Sequence, residues 1–303
     1  MSTVNTAWDH ISGNILKTWV IMFFFSLFTV TIVYVFAKGL GYDNIGGLGI
    51  TGFALIITGI MNFASYYWSD KIVLGISGAK PIEKKDNPQL YRLVENLCIA
   101  AGLPSPKIYI MQDSATNAFA TGRNPQHAVI CFTSGILQKL NKPELEGVIA
   151  HELSHVGNRD TLLMGVVSIL VGTIALVSDG FMRLMWYGGN RDRDRNNGIF
   201  LVIAIISAIL APIVATLIQL AVSRRRELLA DASGVLLTRY PEGLASALEK
   251  ISNDKEPLEA ANRGTAHLYI TNPLKGQDAK SWLSNLFNTH PPIAERVRIL
   301  RSM

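Results

Sequence analysis

The sequence predicts an α+β domain, rich in helix and carrying a small sheet, mounted on about four membrane-spanning helices. Three observations lead there. First, 49% of the 303 residues are hydrophobic and only 17% are charged, against roughly a quarter charged in ordinary soluble domains. The shortfall gathers in four long apolar runs. Second, short stretches with the periods of helices and strands lie between those runs. Third, one helical stretch carries His151-Glu152-Leu153-Ser154-His155, which sets two imidazoles on one helix face.

The elements follow in chain order. Residues 19–37 form an uncharged apolar run between Lys17 and Lys38. The run is longer than the roughly 7–15 apolar residues of a cleaved signal, and a second follows at once, so it reads as an anchor that stays. That second run, residues 45–68, is also uncharged; a span needs about 20 residues, and both have them. Asn87-Pro88 opens a helix with Leu90, Leu93, Val94, Leu97 and Ala101, and Gly102-Leu103-Pro104 closes it. Residues 107–111 alternate as a strand, and residues 128–132 read as a second, buried one. Asn141 as N-cap, Pro143 in the first turn and Glu144 at the capping-box position open the next helix. Leu145, Val148, Ile149 and Val156 recur along it at helical spacing. The third apolar run, residues 162–177, is short for a span, and a buried core helix is the competing reading. The fourth, residues 199–222, is long enough and exits into Arg224-Arg225-Arg226. Residues 252–280 are polar and aperiodic and read as loop.

H-E-x-x-H on a helix is a metal-binding pattern in which the two His grip one ion and the Glu serves as general base. The competing reading is a core helix with two satisfied His, but that would bury Glu152 beside them for no chemical reason. A tetrahedral catalytic zinc takes three protein ligands and keeps one open position. His10, His127, His267 and His290 all lack the short downstream spacing of a third His ligand. Glu227 and Asp231 stand four residues apart on a helical stretch. Glu227 could ligate the ion, and Asp231 could accept the N–H of a ligand imidazole. Equally, the two could form a solvated acidic face balancing the three arginines.

Four separated stretches resemble the HtpX-type membrane metallopeptidases, relatives of the CAAX prenyl protease. They are Asn117-Ala118-Phe119-Ala120-Thr121-Gly122, residues 144–160 with the trailing Asn158-Arg159-Asp160, residues 223–234, and Thr289-His290-Pro291-Pro292 followed by Arg296. The resemblance implies a zincin-like fold of the gluzincin type, with one Zn2+ per chain held by His151, His155 and Glu227. It implies Glu152 as base, and it offers His290 or Arg296 as a second donor to the oxyanion. Pro291 and Pro292 also suit a plain helix start. In a zincin the substrate binds as an added strand on a sheet edge, where Asn117 could hold its backbone or be no more than a turn residue. The activity implied is cleavage of damaged or misfolded membrane proteins. A dedicated processing protease, acting for instance on a prenylated terminus, is the rival with the same chemistry. A membrane scaffold or chaperone-like protein with structural zinc is the rival from another class, and Glu152 argues against it, because a structural site has no use for a base.

Orientation follows from Lys and Arg near the span ends. Lys71, Lys80, Lys84 and Lys85 follow the second run, and three arginines follow the fourth. The two ligand helices must share a side, and the basic side is the cytoplasmic one. A multi-pass protein of a bacterial inner membrane is expected, although Arg191, Arg193 and Arg195 between the third and fourth runs resist this. The expected organisation is a membrane hairpin at 1–70, catalytic residues at 71–160, a second hairpin at 161–222 and the rest of the catalytic domain at 223–303. The net charge of +5 suits a neighbour of anionic lipid. Nucleic acid is not expected, because no aromatic-basic motif accompanies the charge. Cys98 and Cys131 sit in apolar surroundings and read as core residues rather than a disulfide framework.

Overall fold

A computed structural model describes residues 7–39, 44–188, 224–261, 264–271, 273 and 291–303. The fourth apolar run, residues 189–197 and His290 lie outside the described residues. The chain runs through α1 (Ala7–Gly39), α2 (Asn44–Ile76), β1 (Lys80–Pro81), α3 (Pro88–Ala101), β2 (Lys107–Met111), β3 (Ala118–Thr121), β4 (Val129–Thr133), α4 (Ser134–Lys139), α5 (Lys142–Gly157), α6 (Asp160–Gly188), α7 (Arg224–Thr238), α8 (Pro241–Asn253) and α9 (Ile293–Leu300).

Helices α1 and α2 contain Ile11–Thr31 and Leu48–Ile76, each long and apolar enough to cross a membrane. Leu16, Phe23, Phe24, Phe53, Ile56 and Ile60 stand exposed on them, an apolar surface ill suited to water. The two helices run antiparallel: Trp19 stacks on Tyr66 with ring centroids 5.4 Å apart, and Asn62 Nδ2 donates to Ser26 Oγ at 2.6 Å. Of the four spans expected, these two are found among the described residues. The third run lies in α6, where Asp160–Ile174 forms a shorter apolar stretch among the described residues. Leu163, Val166, Val167 and Leu170 there are buried against Ile21, Met22 and Phe25 of α1.

The caps read from sequence are present. Asn87 accepts the Leu90 N–H, and Gly102, at φ +66°, closes α3. Asn141 and Glu144 form the reciprocal capping box of α5. The sheet is mixed, in the order β1-β2-β4-β3. β2 and β4 are parallel, while β1 and β3 pair antiparallel with their neighbours. Every residue of β4 is buried, as expected of a central strand covered on both faces. Val148, Ile149 and Leu153 of α5 pack on Ile130 and Phe132, with Val94 of α3 and Leu244 and Leu248 of α8 around them. On the other face Phe119 and Cys131 meet Val73 and Leu74 of α2, with Leu268 and Tyr269. The sheet thus rests against the end of a candidate membrane helix.

Two glycines let helices approach α5. A Cβ on Gly147 would lie 2.7 Å from the Leu244 backbone N, and one on Gly234 would lie 3.2 Å from the His151 N. Between α5 and α6 the chain turns through Arg159 at φ +60°, a left-handed conformation uncommon for a side-chain-bearing residue. That turn carries Asp160 back towards the helix it has just left.

Candidate metal centre

Helix α5 carries His151, Glu152 and His155, all buried, at 1%, 2% and 4% exposure. Their helical spacing turns the two imidazoles together, so that Nε2 of one lies 3.2 Å from Nε2 of the other. Helix α7 brings Glu227 against them, its carboxylate oxygens 3.7 Å from His151 Nε2 and 3.6 Å from His155 Nε2. These three donors form a group of ligand atoms within 4.8 Å of one another.

The other ring nitrogens fix the tautomers. His151 Nδ1–H donates to Asp231 Oδ1 at 2.9 Å, and His155 Nδ1–H donates to Asp160 Oδ2 at 3.0 Å. Each carboxylate accepts the Nδ1–H of one ring, which turns both Nε2 atoms towards the same point. Nitrogens bound to one tetrahedral zinc at about 2.0–2.1 Å are about 3.3 Å apart, which matches the observed spacing. Electrostatics agree. Glu152, Asp160, Glu227 and Asp231 surround the imidazoles, against the guanidinium groups of Arg226 and Arg296. Burial alone would lower the His155 imidazole, but Asp160 and the Glu227 and Glu152 carboxylates raise it to about 9. The His151 imidazole shifts the other way, lowered by burial against the hydrogen bond and charge of Asp231. Donor set, spacing and charge all fit one divalent cation.

Glu152 does not belong to the donor triad. Its carboxylate accepts the backbone N–H of Ala120, and burial, aided by the Glu227 charge, raises its carboxyl to about 7 despite the opposing effect of His155. A base poised near neutrality can both take and return a proton. Asp231 behaves differently. Burial would raise it, but the Arg296 guanidinium and the His151 N–H bring it down to about 2.

Arg296 enters from α9 and is fully buried. Its Nε and Nη2 donate to the two Asp231 oxygens at 2.8 and 2.7 Å, and Nη1 donates to the Ile270 carbonyl at 3.2 Å. Its Nη1 also lies 3.7 Å from Glu227 Oε2, so the arginine that the sequence offered as an oxyanion donor stands beside the donor set. The guanidinium is committed to Asp231, behind His151, and buried pairs of this bidentate geometry are held firmly. Asn117 precedes β3 and is buried; its Nδ2 donates to the Thr271 carbonyl at 3.2 Å. The Ile270 N–H donates to Ala118 O, so residues 270–271 lie along the outer edge of β3. His127 is exposed beside Asn124, His267 is buried against Ser168, and neither joins the centre.

Sequence reasoning missed the role of Asp160, its ion pair with Arg226 Nε at 3.3 Å, and Asn14, whose Nδ2 donates to Asp160 Oδ1 at 2.7 Å. Asp160 stands out in the sequence only as the last residue of the stretch that carries the resemblance, with no role given to it.

The sequence signature of Peptidase family M48 matches residues 84–303, a stretch that holds His151, Glu152, His155, Glu227 and Asp231. The chain belongs to peptidase family M48. A protein of Dictyoglomus thermophilum named Protease HtpX homolog is 46% identical over 98% of this chain and 95% of its own length. Homologues with the same name from Caldanaerobacter subterraneus and Pyrococcus furiosus are 45% and 46% identical over 99% and 88% of this chain, and over 99% and 90% of their own. In three dimensions the chain is similar to the crystal structure of S. mikatae Ste24p, at TM-score 0.50 and 18% identity, over 94% of this chain and 67% of that one. M48 membership makes the protein a metallopeptidase acting on polypeptides. The metal that the family implies finds a matching donor set in His151, His155 and Glu227.

Proposed function

We propose that the protein is a zinc-dependent endopeptidase of a bacterial inner membrane, facing the cytoplasm and cleaving exposed segments of damaged or misfolded membrane proteins. The observation that carries this reading is the continuity of the donor triad with a candidate span. His155 bonds Asp160, and Asp160 bonds Asn14 inside Ile11–Thr31. A centre two hydrogen bonds from a membrane helix is suited to chains already at the bilayer. Basic residues on the catalytic side support the orientation, and the HtpX names of the relatives agree with the activity. The domain boundaries read from sequence, four spans in all and a gluzincin-type core remain part of this proposal.

In this reading His151, His155 and Glu227 hold the zinc. The ion, when bound, supplies Lewis acidity that activates water and polarises the scissile carbonyl. Glu152 takes the proton of the attacking water and hands it to the leaving amine. The Ala120 N–H keeps the Glu152 carboxylate at the β3 edge. Asp231 and Asp160 hold the two ring tautomers, and Arg296 positions Asp231. An extended substrate would lie along β3 by main-chain hydrogen bonds. Asn117 would hold its backbone once residues 270–271 yield that edge.

The test compares wild type with Glu152→Gln on a panel of membrane-protein substrates. Zinc content should be unchanged and cleavage should fall by about 10²–10⁴-fold. Wild-type rates in the variant would sink the mechanism. His151→Ala and Glu227→Ala should lose zinc, and full occupancy in either would move that ligand elsewhere.

A further inference from the structure

Asn14 lies three residues into the first candidate span, where an amide is costly unless it is hydrogen-bonded. It is buried, at 5% exposure. Its Nδ2 donates to the Asn158 carbonyl at 2.9 Å and to Asp160 Oδ1 at 2.7 Å. Both amide hydrogens are thus spent on the turn from α5 to α6, one on each side of Arg159 with its left-handed φ of +60°. Asp160 divides its carboxylate. Oδ2 accepts the His155 Nδ1–H at 3.0 Å, while Oδ1 accepts from Asn14 and pairs with Arg226 Nε at 3.3 Å.

We propose that Asn14 is a positioning residue of the metal centre. It acts through Asp160 on His155 and ties the angle and tautomer of that imidazole to the seat of the first membrane helix. The inference rests on the assignment of His155 as a ligand. A neutral amide suits this position because it offers two N–H groups at fixed separation, pinning a carboxylate and a carbonyl together, and leaves the charge balance to Arg226. Packing alone does not account for it, because α1 and α6 already meet through Ile21, Met22, Phe25 and their buried partners.

The experiment uses the full chain in detergent, loaded with Co2+ or Zn2+. Two properties are read: release of metal to a chelator, and the d–d absorption of the Co2+ form, which reports ligand geometry. Asn14→Ala should retain metal about 3- to 10-fold less tightly and shift the spectrum, a smaller effect than the roughly 10- to 100-fold of groups that touch a ligand directly. Asn14→Asp is isosteric, so it remains informative if the Ala variant does not fold. It sets a carboxylate against Asp160 and should lose metal more readily still. Asn14→Gln keeps the donor and should recover part of the loss. Asn62→Leu removes the amide that joins α1 to α2 without touching the turn, and should behave as wild type. Wild-type retention and spectrum in both Asn14→Ala and Asn14→Asp would overturn the inference, and so would an equal loss in Asn62→Leu. His155→Ala separates the two readings. Metal lost there but kept in the Asn14 variants overturns the inference alone, whereas metal kept at wild-type affinity in His155→Ala overturns the ligand assignment beneath it.

Discussion

At the scale of residues, Asp160 and Asp231 occupy matching places, each accepting the Nδ1–H of one imidazole. Their amides should separate two kinds of loss. Asp160→Asn and Asp231→Asn should each weaken metal binding by about 10–100-fold, measured by chelator competition. Only Asp231→Asn also strips the fully buried Arg296 of its bidentate partner. Breaking a buried ion pair from one side costs about 3–5 kcal/mol, so its metal-free thermal midpoint should fall well below that of Asp160→Asn. Equal midpoints would mean that Arg296 finds another partner. His151, Glu152, His155, Glu227 and Asp231 were all legible as candidates, because residues four apart on a helix must share a face. The contact of Asp160 with His155 was not, because no helical period carries across the left-handed Arg159; the resemblance alone names that residue. Asn14 and Arg296 meet the centre only through tertiary folding. Arg296 was legible as a candidate, but its pairing with Asp231 was not, since nothing in its neighbourhood names that partner.

At the scale of elements, α5 is held by close helix crossings and by tethers at its flanks. Gly147→Ala would set a Cβ 2.7 Å from the Leu244 backbone and push α8 away. Overpacking of this kind costs about 1–3 kcal/mol, and a stability unchanged in denaturant titration would show that α8 moves freely. The C-terminal end of α8 is tethered by Asp254, which accepts from Lys139 Nζ at 2.7 Å and from the Thr116 hydroxyl and N–H. Burial would raise this carboxyl, yet those donors bring it down to about 2, below the unfolded value of about 3.9. A group depressed on folding stabilises above its unfolded pKa, and that contribution fades as pH falls through the folded one. The thermal midpoint of wild type should therefore drop between about pH 4 and pH 2 more steeply than that of Asp254→Asn. Parallel curves would assign acid sensitivity to other groups. Helices α3 and α5 were legible because Asn-Pro openings and a capping box are local signals. β1, with two residues, and β3, with four, are too short to show a period. Helix α8 did carry a signal, Pro241 at its start and Leu244, Leu248 and Ile251 along one face.

At the scale of the whole molecule, the catalytic residues are gathered at one end of the α1–α2 pair. A cysteine at Lys85, which is exposed, and one at Asn44, where α2 begins, should react with an impermeant thiol reagent from opposite sides of the membrane. The native Cys98 and Cys131 are buried and should stay silent. Labelling of both probes from one side would mean that α1 and α2 do not cross as a hairpin. The two candidate spans were legible from length and lack of charge, while the packing of residues 162–174 against α1 was legible only as the competing reading, because an apolar run looks the same against lipid as against protein. The centre itself joins Asn14, Ala120, the α5–α6 turn, α7 and Arg296, a sequence separation of nearly the whole chain. Chains are made from the N-terminus at about 5–20 residues per second, so Arg296 is the last of these residues to leave the ribosome. Until then Asp231 lacks its guanidinium and the His151 ring lacks a fixed anchor. A nascent copy that has emerged only as far as Asp231 thus carries H-E-x-x-H and the donor triad before the guanidinium that holds Asp231 in place.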